Sequence, residues 1–112
     1  MEYLNKGIYI TSESAATVLT AGGSKKLLLK TVHITNITSS NAQVTLKWTD
    51  SSDSNKEYFL ARDVVVPNGS SFQAIDGTFV LESGDTLTAQ QDLSGSLQAT
   101  VSYMEIDTPS EG

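Results

Sequence analysis

Few residues in this 112-residue chain could take part in covalent chemistry. There is no cysteine, which excludes a thiolate nucleophile, a disulfide framework and a thiolate zinc site. His33 is the single histidine, so any Ser-His-Asp triad would have to use it. The order of the acidic residues marks no pair that would act as general acid and base. The sequence therefore predicts a protein that is not an enzyme, with no catalytic residue, no metal site and no cofactor.

Two loops contain groups that could hold an ion. Residues 50–57 offer three carboxylates and an amide, the oxygen ligands that calcium prefers, but their spacing differs from that of an EF-hand and Lys56 lies among them. We interpret this stretch as a solvated hairpin turn, with a calcium site as the alternative. Residues 22–26 lack the spacing of a Walker loop and predict a second hairpin turn. The sequons at Asn36 and Asn68 are interpreted as coincidental, because the first residues do not resemble a secretory signal.

Short strands are expected to position these groups. Stretches of β-branched and apolar residues alternate with turn residues, which is typical of an antiparallel sandwich or barrel. Helical spacing never persists for three turns. The predicted fold is all-β: a single antiparallel β-sandwich, immunoglobulin-like or jelly-roll, with about eight short strands and little or no helix. The candidate strands lie near Ile8–Thr11, Thr17–Ala21, Lys26–Ile37, Ala42–Thr49, Glu57–Val66, Phe72–Ile75, Phe79–Leu81, Thr86–Gln91 and Leu97–Ile106.

Alternation within the strands predicts which side chains face the core. Val44, Leu46 and Trp48 share one parity, and so do the apolar residues from Leu97 to Tyr103. The parity changes between Leu29 and Val32 and again after Tyr103, which predicts a β-bulge or a bend at a sandwich corner. His33 is out of phase with its apolar neighbours and is predicted to be a solvated or sheet-edge histidine.

Two stretches are candidate partner interfaces. The strand over residues 56–62 is apolar on both parities; if Phe59 and Ala61 face the core, Tyr58 and Leu60 point outward between Lys56 and Arg62. Aromatic residues and arginine are enriched in protein contacts. The alternative interpretation is that the protein's own sheets and loops cover both faces of this strand. The N-terminal segment is also apolar, as an edge strand or as an arm that adds to a neighbour's sheet. The candidate interface residues are Tyr3, Leu4, Ile8, Tyr9, Tyr58, Leu60 and Arg62.

Length and charge limit the organisation and the partners. The predicted domains are an N-terminal segment (1–14), a β-sandwich (15–106) and a C-terminal tail (107–112). A net charge of −6 disfavours nucleic acid and anionic membranes as partners. All seven basic residues lie within residues 1–62, and the remainder is purely acidic among its charged side chains. Folding would either interleave the two halves or leave two flanks that meet head to tail in a ring.

Several segments resemble small virion structural proteins of tailed bacteriophages. The resemblance rests on residues 30–36 and 42–46, the turn Val66-Pro67-Asn68-Gly69-Ser70-Ser71, residues 81–89 and the stretch Val101-Ser102-Tyr103-Met104-Glu105-Ile106. It covers roughly residues 26–106 and consists of strand and turn residues without a catalytic group. It implies an immunoglobulin-like or jelly-roll sandwich that decorates a capsid or lies in a neck or tail, in symmetric copies.

The expected function is therefore that of a virion structural protein, a capsid decoration or cement protein that binds neighbouring shell subunits. Its expected partners are the major capsid protein or neck and tail proteins, and a homo-oligomer is expected. It would be synthesised in the host cytoplasm and located in the virion. The alternatives are a neck or tail component, or a carbohydrate- or receptor-binding sandwich module. Sugar sites on sandwiches usually need an exposed aromatic platform, and Trp48, the single tryptophan, is predicted to face inward.

Overall fold

The computed structural model describes residues 2–11, 16–92 and 96–107. They form eight β-strands and one turn of 3-10 helix at Ser51–Asp53. The remaining residues of the predicted N-terminal segment (1 and 12–14) and of the predicted tail (108–112) lie outside the described residues. The strands are β1 (Glu2–Ile10), β2 (Ala16–Thr20), β3 (Lys25–Asn36), β4 (Ala42–Asp50), β5 (Lys56–Val66), β6 (Ser71–Leu81), β7 (Thr86–Gln91) and β8 (Leu97–Asp107).

The strands make two antiparallel four-stranded sheets. Sheet A has the order β1-β8-β3-β6, and sheet B has the order β2-β7-β4-β5. The first strand pairs with the eighth, the second with the seventh, the third with the sixth and the fourth with the fifth. Successive pairs alternate between the sheets, as when one long hairpin is rolled up, and this is the jelly-roll arrangement. The predicted all-β antiparallel sandwich is confirmed, and its strand order is that of a jelly roll.

The core lies between the two sheets and is built by alternate residues of each strand. Val44 and Leu46 are fully buried, and Trp48 packs against the core at the end of β4. On β8 the inward residues Leu97, Ala99 and Val101 are buried and Tyr103 packs beside them, as the alternation predicts. His33 is half-buried between two buried neighbours of β3.

A bulge explains one of the two predicted changes of parity. The pairing of β3 with β8 skips Lys30, between Leu29 and Thr31, so the bulge predicted before Val32 is confirmed. The change after Tyr103 is not a bulge, because β1 and β8 pair without a register shift. Met104 instead lies on the opposite face from Tyr103, where the end of β8 leaves the core.

One predicted turn is wrong because a bulge uses the same residue types. Asp76-Gly77 was expected to separate two strands, but β6 runs through it as one strand. Gly77 has φ +101°, and two residues of β6 lie opposite the single residue Lys30 of β3. Glycine suits the left-handed backbone of a bulge as well as that of a turn, so the dipeptide alone does not distinguish them. The turn at Pro67 is confirmed by a hydrogen bond from Ser70 N to Pro67 O of 3.0 Å.

The acidic and basic halves of the chain interleave. β8 lies between β1 and β3, and β7 lies between β2 and β4, so strands from the acidic half of the chain lie beside strands from the basic half. Lys25 forms ion pairs with Glu105 and Asp107 across these strands. Separate basic and acidic flanks are therefore absent from the described sheets, and a ring joined by them is not expected. Residues 22–24 connect β2 of sheet B to β3 of sheet A, so the predicted hairpin turn there is wrong.

Asp85 is a buried carboxylate at one end of the sandwich. Its Oδ1 accepts hydrogen bonds from Ser51 N (2.9 Å) and Oγ (3.1 Å), and its Oδ2 accepts from Glu82 N (3.0 Å) and Trp48 Nε1 (3.1 Å). Burial raises the pKa of Asp85, but these donors outweigh it and hold the pKa below 3.8. Its main chain also accepts from Ala21 N at 3.0 Å. Asp85 therefore ties the end of β4 to the β6–β7 turn and to the end of β2.

Asn36 and Gln91 fasten the other end. The Asn36 Nδ2 donates to Val66 O (2.8 Å) and Ser40 O (2.7 Å), and its Oδ1 accepts from Thr38 N (2.9 Å). The Gln91 Nε2 donates to Ile10 O at 2.8 Å, which links β7 of sheet B to β1 of sheet A. Among the described residues, no buried side-chain nitrogen or oxygen lacks a hydrogen-bond partner. Polar contacts thus join the sheets at both ends of an apolar core.

Replacing Gly84 with alanine should lower the free energy of unfolding by about 2 kcal/mol. Gly84 has φ +88°, which disfavours any side chain, and an added Cβ would lie 2.6 Å from Ser51 Oγ. The clash would displace the serine that donates to Asp85. Urea unfolding followed by Trp48 fluorescence measures the loss, and Gly23→Ala is the control because a Cβ there meets nothing within 4 Å. Equal stability of the two variants would contradict this account.

Candidate functional site

The first candidate surface is the outer side of β1. Among the described residues this strand forms the edge of sheet A and pairs with β8 alone. Tyr3 is 71% exposed and Tyr9 58% exposed, and alternation places both on the outer face. The predicted residues Leu4 and Ile8 lie on the opposite parity and are half-buried, with Ile8 against the core. We call Tyr3 and Tyr9 the β1 patch.

The second candidate surface is on β5, where the structure corrects the prediction. Leu60 packs against the core, whereas Phe59 is 54% exposed, so the expected outward Leu60 and inward Phe59 are both wrong. The cause is a bulge: Lys47 lies opposite Phe59 and Leu46 lies opposite Ala61, which leaves Leu60 without a partner on β4. Ala61 is buried, as predicted.

Tyr58 and Arg62 are both exposed, but they face different ways. The ring of Tyr58 stacks on Trp48 at 5.2 Å between centroids, and Trp48 meets Phe79 edge-on at 5.4 Å. Tyr58 thus closes the open end of the core. The Arg62 guanidinium lies over the ring of Phe59 at 5.2 Å, on the outer face of sheet B. We call Phe59, Arg62 and the 52%-exposed Val65, all on the outer face of sheet B, the β5 patch.

The two patches lie on opposite sides of the sandwich. β1 is the edge of sheet A that lies above β2, whereas β5 is the edge of sheet B that lies below β6. The seven predicted interface residues are therefore not brought together into one surface. A single flat partner cannot contact both patches at once, and two neighbours can.

A groove crosses the outer face of sheet B. Its cavity of about 420 Å³ is open to solvent. The residues that line it come from β4, β5, β7 and the residue after β7. They are Gln43, Thr45, Lys47, Phe59, Arg62, Asp63, Gln90, Gln91 and Asp92. We call this the sheet-B groove.

The sequence analysis missed this groove. A signal was present in the adjacent polar residues Arg62 and Asp63, which interrupt the alternation of β5 as Lys30 interrupts that of β3. In the structure Asp63 has φ +51° and forms a second bulge, held by a hydrogen bond from its N to Thr45 Oγ1 of 3.1 Å. The bulge at Leu60 alone exchanges the faces of Phe59 and Leu60 relative to Ala61, which alternation could not anticipate.

The groups considered for ion binding are engaged in local structure. The Asp50 carboxylate accepts from Ser52 N (3.2 Å) and Oγ (2.8 Å), which caps the 3-10 turn. The Asp53 Oδ2 lies 3.8 Å from Lys56 Nζ and forms an ion pair with it. In the part of the chain that the structure describes, no group of three or more His, Cys, Asp or Glu residues could hold a metal ion. The sequon asparagine Asn36 is buried and fully hydrogen-bonded, so it is not accessible for modification.

No helix within the described ranges is long and apolar enough to cross a membrane.

Comparison with known proteins gives distant structural likenesses. No family model and no curated protein matches the chain. A solved structure of Bacillus endospore appendages, described as a novel family of disulfide-linked pili, is 18% identical with a TM-score of 0.44, over 91% of this chain and 88% of that one. A pentameric capsid protein isolated from metagenomic phage sequences is 16% identical with a TM-score of 0.42. That match covers 89% of this chain but only 60% of the capsid protein. Neither likeness shows a family for this chain.

Proposed function

We propose that this protein is a non-enzymatic structural component of a tailed-bacteriophage virion. Within the virion we propose the role of a decoration or cement protein, which binds neighbouring subunits of the shell. The proposal rests on the resemblance of residues 26–106 to small virion proteins and on the placement of exposed aromatic side chains. The jelly-roll strand order also occurs in viral capsid domains, which supports the proposal only at the level of fold.

The observation that carries the proposal is the position of the two patches on opposite edges of a rigid body. Exposed tyrosine, phenylalanine and arginine side chains are favourable anchors of protein interfaces. A cement protein must hold two neighbours at once, and two patches that face away from each other meet that need. Each contact can be weak, because repeated contacts on a symmetric shell add through effective concentration.

The β1 patch is suited to contact through side chains and not through strand addition. Lys6 occupies the core-facing parity of β1, between Leu4 and Ile8, yet its side chain is exposed. A charge at such a position of an edge strand opposes pairing with a further strand. The outer face, with Tyr3 and Tyr9, remains available to a partner surface. We therefore propose that shell subunits pack on the tyrosines and do not extend sheet A.

Contact between copies of this chain would also use both patches. Because the β1 and β5 patches differ, such a contact is heterologous, and it closes into a ring or continues along a lattice. Light scattering of the purified protein across concentrations tests this. A mass of several chains that falls when Val65 is replaced with lysine supports the homo-oligomer, and a monomer at every concentration contradicts it.

The proposed location is tested on purified virions of the phage that encodes the chain. Quantitative mass spectrometry should find the chain in fixed proportion to the major capsid protein, and labelling with an antibody should place it on the shell. Label confined to the neck or tail would contradict decoration and favour the alternative location. Absence from purified virions would overturn the virion role.

Replacing Tyr3 and Tyr9 together with lysine should reduce binding to undecorated shells by at least about tenfold. The change removes both aromatic anchors and adds charge to an exposed face, where the effect on folding is small. Sedimentation of the protein with shells measures the bound fraction. Ile37→Lys is the control, since Ile37 is 52% exposed but lies in the loop after β3 and not on β1. Unchanged binding of the double variant would exclude the β1 patch as the contact.

A further inference from the structure

The sheet-B groove is constructed by the bulge at Asp63. In a regular strand, successive side chains point to opposite faces, but the bulge directs both Arg62 and Asp63 toward the groove. The left-handed backbone of Asp63 is held by Thr45, whose hydroxyl accepts from Asp63 N at 3.1 Å and lies 3.4 Å from the carboxylate. Strained backbone of this kind collects at functional sites.

The groove presents one apolar face among many polar groups. Phe59 is more than half exposed, and the Arg62 guanidinium lies over its ring. Gln43 and Gln90 contribute amides, each of which can donate and accept a hydrogen bond. At the far side the Asp92 Oδ1 accepts from Gln43 N at 2.8 Å, which fixes that carboxylate at the rim.

The charges that line the groove balance. Lys47 and Arg62 are cations and Asp63 and Asp92 are anions, and Lys47 is further paired with Glu57 at 3.4 Å. A strongly charged ligand would meet an opposing charge on one side or the other. The groove therefore suits a neutral ligand with many hydroxyl groups and one apolar face.

We propose that the sheet-B groove binds a neutral saccharide, one or two sugar units of a glycan. The C–H face of the sugar packs on Phe59, and its hydroxyls exchange hydrogen bonds with the amides of Gln43 and Gln90 and with the Asp63 carboxylate. A cavity of about 420 Å³ lies within the range of small-molecule sites. Binding by one copy is weak, and repeated copies on a particle would strengthen it. Phe59 and Arg62 also belong to the β5 patch, so a copy whose groove holds a sugar cannot use that patch on a shell subunit at the same time. Sugar binding in itself does not require the virion role.

The test is a titration of the isotope-labelled full chain with a panel of soluble neutral sugars, followed by NMR. Glucose, galactose, mannose, N-acetylglucosamine, lactose and maltose are each added to about 50 mM, above the dissociation constant of about 1 mM expected for one sugar. At least one of them should shift the side-chain amide signals of Gln43 and Gln90 in a saturable way. Absence of saturable shifts with every sugar would overturn the proposal.

Variants separate stacking in the groove from non-specific effects. Phe59→Ala should weaken the binding of the active sugar about tenfold or more, since it removes the apolar face. Tyr3→Ala removes an exposed aromatic ring from sheet A and should bind as the wild type does. Thermal unfolding of both variants checks that they fold. Equal sugar binding by Phe59→Ala and by the wild type would overturn the proposed packing of the sugar on Phe59.

Two other ligand classes give distinct outcomes. Saturable shifts with N-acetylneuraminic acid and with none of the neutral sugars would contradict a neutral ligand. Shifts of the groove signals with isolated shell protein but with no sugar would make the groove a protein contact and overturn the proposal. A groove that binds sugar in a protein absent from virions would leave this inference standing while the proposed function fails.

Discussion

Replacing Asp85 with asparagine should lower the free energy of unfolding by about 3 kcal/mol at pH 7. Both carboxylate oxygens accept from main-chain or indole N–H groups, at 2.9 Å from Ser51, 3.0 Å from Glu82 and 3.1 Å from Trp48. Asparagine has the same shape but only one oxygen. In either orientation its NH₂ group faces at least one buried N–H donor, and the remaining bonds lose the contribution of the charge.

The pH dependence distinguishes this mechanism from a packing defect. Because the pKa of Asp85 is lower in the folded protein than the ordinary value of 3.8, its stabilisation is present above that pH and is lost as the pH falls through the folded pKa. The stability gap between wild type and Asp85→Asn should therefore narrow in acid. Urea unfolding at a series of pH values from neutral to acid measures this difference in stability. As a control, Asp53→Asn at an exposed carboxylate should lower the free energy of unfolding by less than about 0.5 kcal/mol. A difference in stability between wild type and Asp85→Asn that does not change with pH would contradict the mechanism.

The reverse exchange at the other end of the sandwich, Asn36→Asp, should lower the free energy of unfolding by about 4 kcal/mol at pH 7. The Asn36 amide nitrogen donates to Ser40 O at 2.7 Å and to Val66 O at 2.8 Å. A carboxylate oxygen in its place would face two carbonyl oxygens in a fully buried position. The two turns that Asn36 joins, after β3 and after β5, would separate or the carboxyl would take up a proton.

The sign of the pH effect is opposite to that at Asp85. Burial beside carbonyl oxygens raises the pKa of the introduced carboxyl in the folded state, so the variant is least destabilised at low pH and loses stability as the pH rises. Urea unfolding at several pH values tests this. Asn41→Asp is the control, because the exposed Asn41 uses only its oxygen, as acceptor from Asn68 N at 3.2 Å. A cost at Asn36 no larger than at Asn41 would show that the buried contacts contribute little.

Local alternation was sufficient to predict the fold class and much of the core. Val44 and Leu46, and the inward residues of β8, follow from period-two patterning because a buried strand must keep its apolar residues on one face. The bulge at Lys30 was predictable for the same reason. Strand pairing across long distances was not, since alternation indicates a face but not a partner. The jelly-roll order therefore came from the structure.

The groups that fasten the sandwich were not predicted, for a related reason. In the sequence Asp85 is a residue of a turn and Asn36 part of a sequon, while the partners that join the sheets or strands, such as Val66, Trp48 and Ser51, lie 30 or more residues away. In β5 the errors at Phe59 and Leu60 arose because bulges change a side chain's face without changing its residue type. The sheet-B groove depends on that exchange, so it could not be located before the register was known.

The position of β8 sets the order in which the protein can fold. Residues 97–107 form an interior strand of sheet A, between β1 and β3, although they come last of the eight strands along the chain. On the ribosome, β1 and β3 are made first and have no common partner until β8 emerges. Sheet A therefore assembles after most of the chain has been synthesised, through contacts of long sequence separation, which slow folding into the range of milliseconds to seconds. During that interval the exposed edges of β1 and β3 are the segments most in need of protection from misassembly.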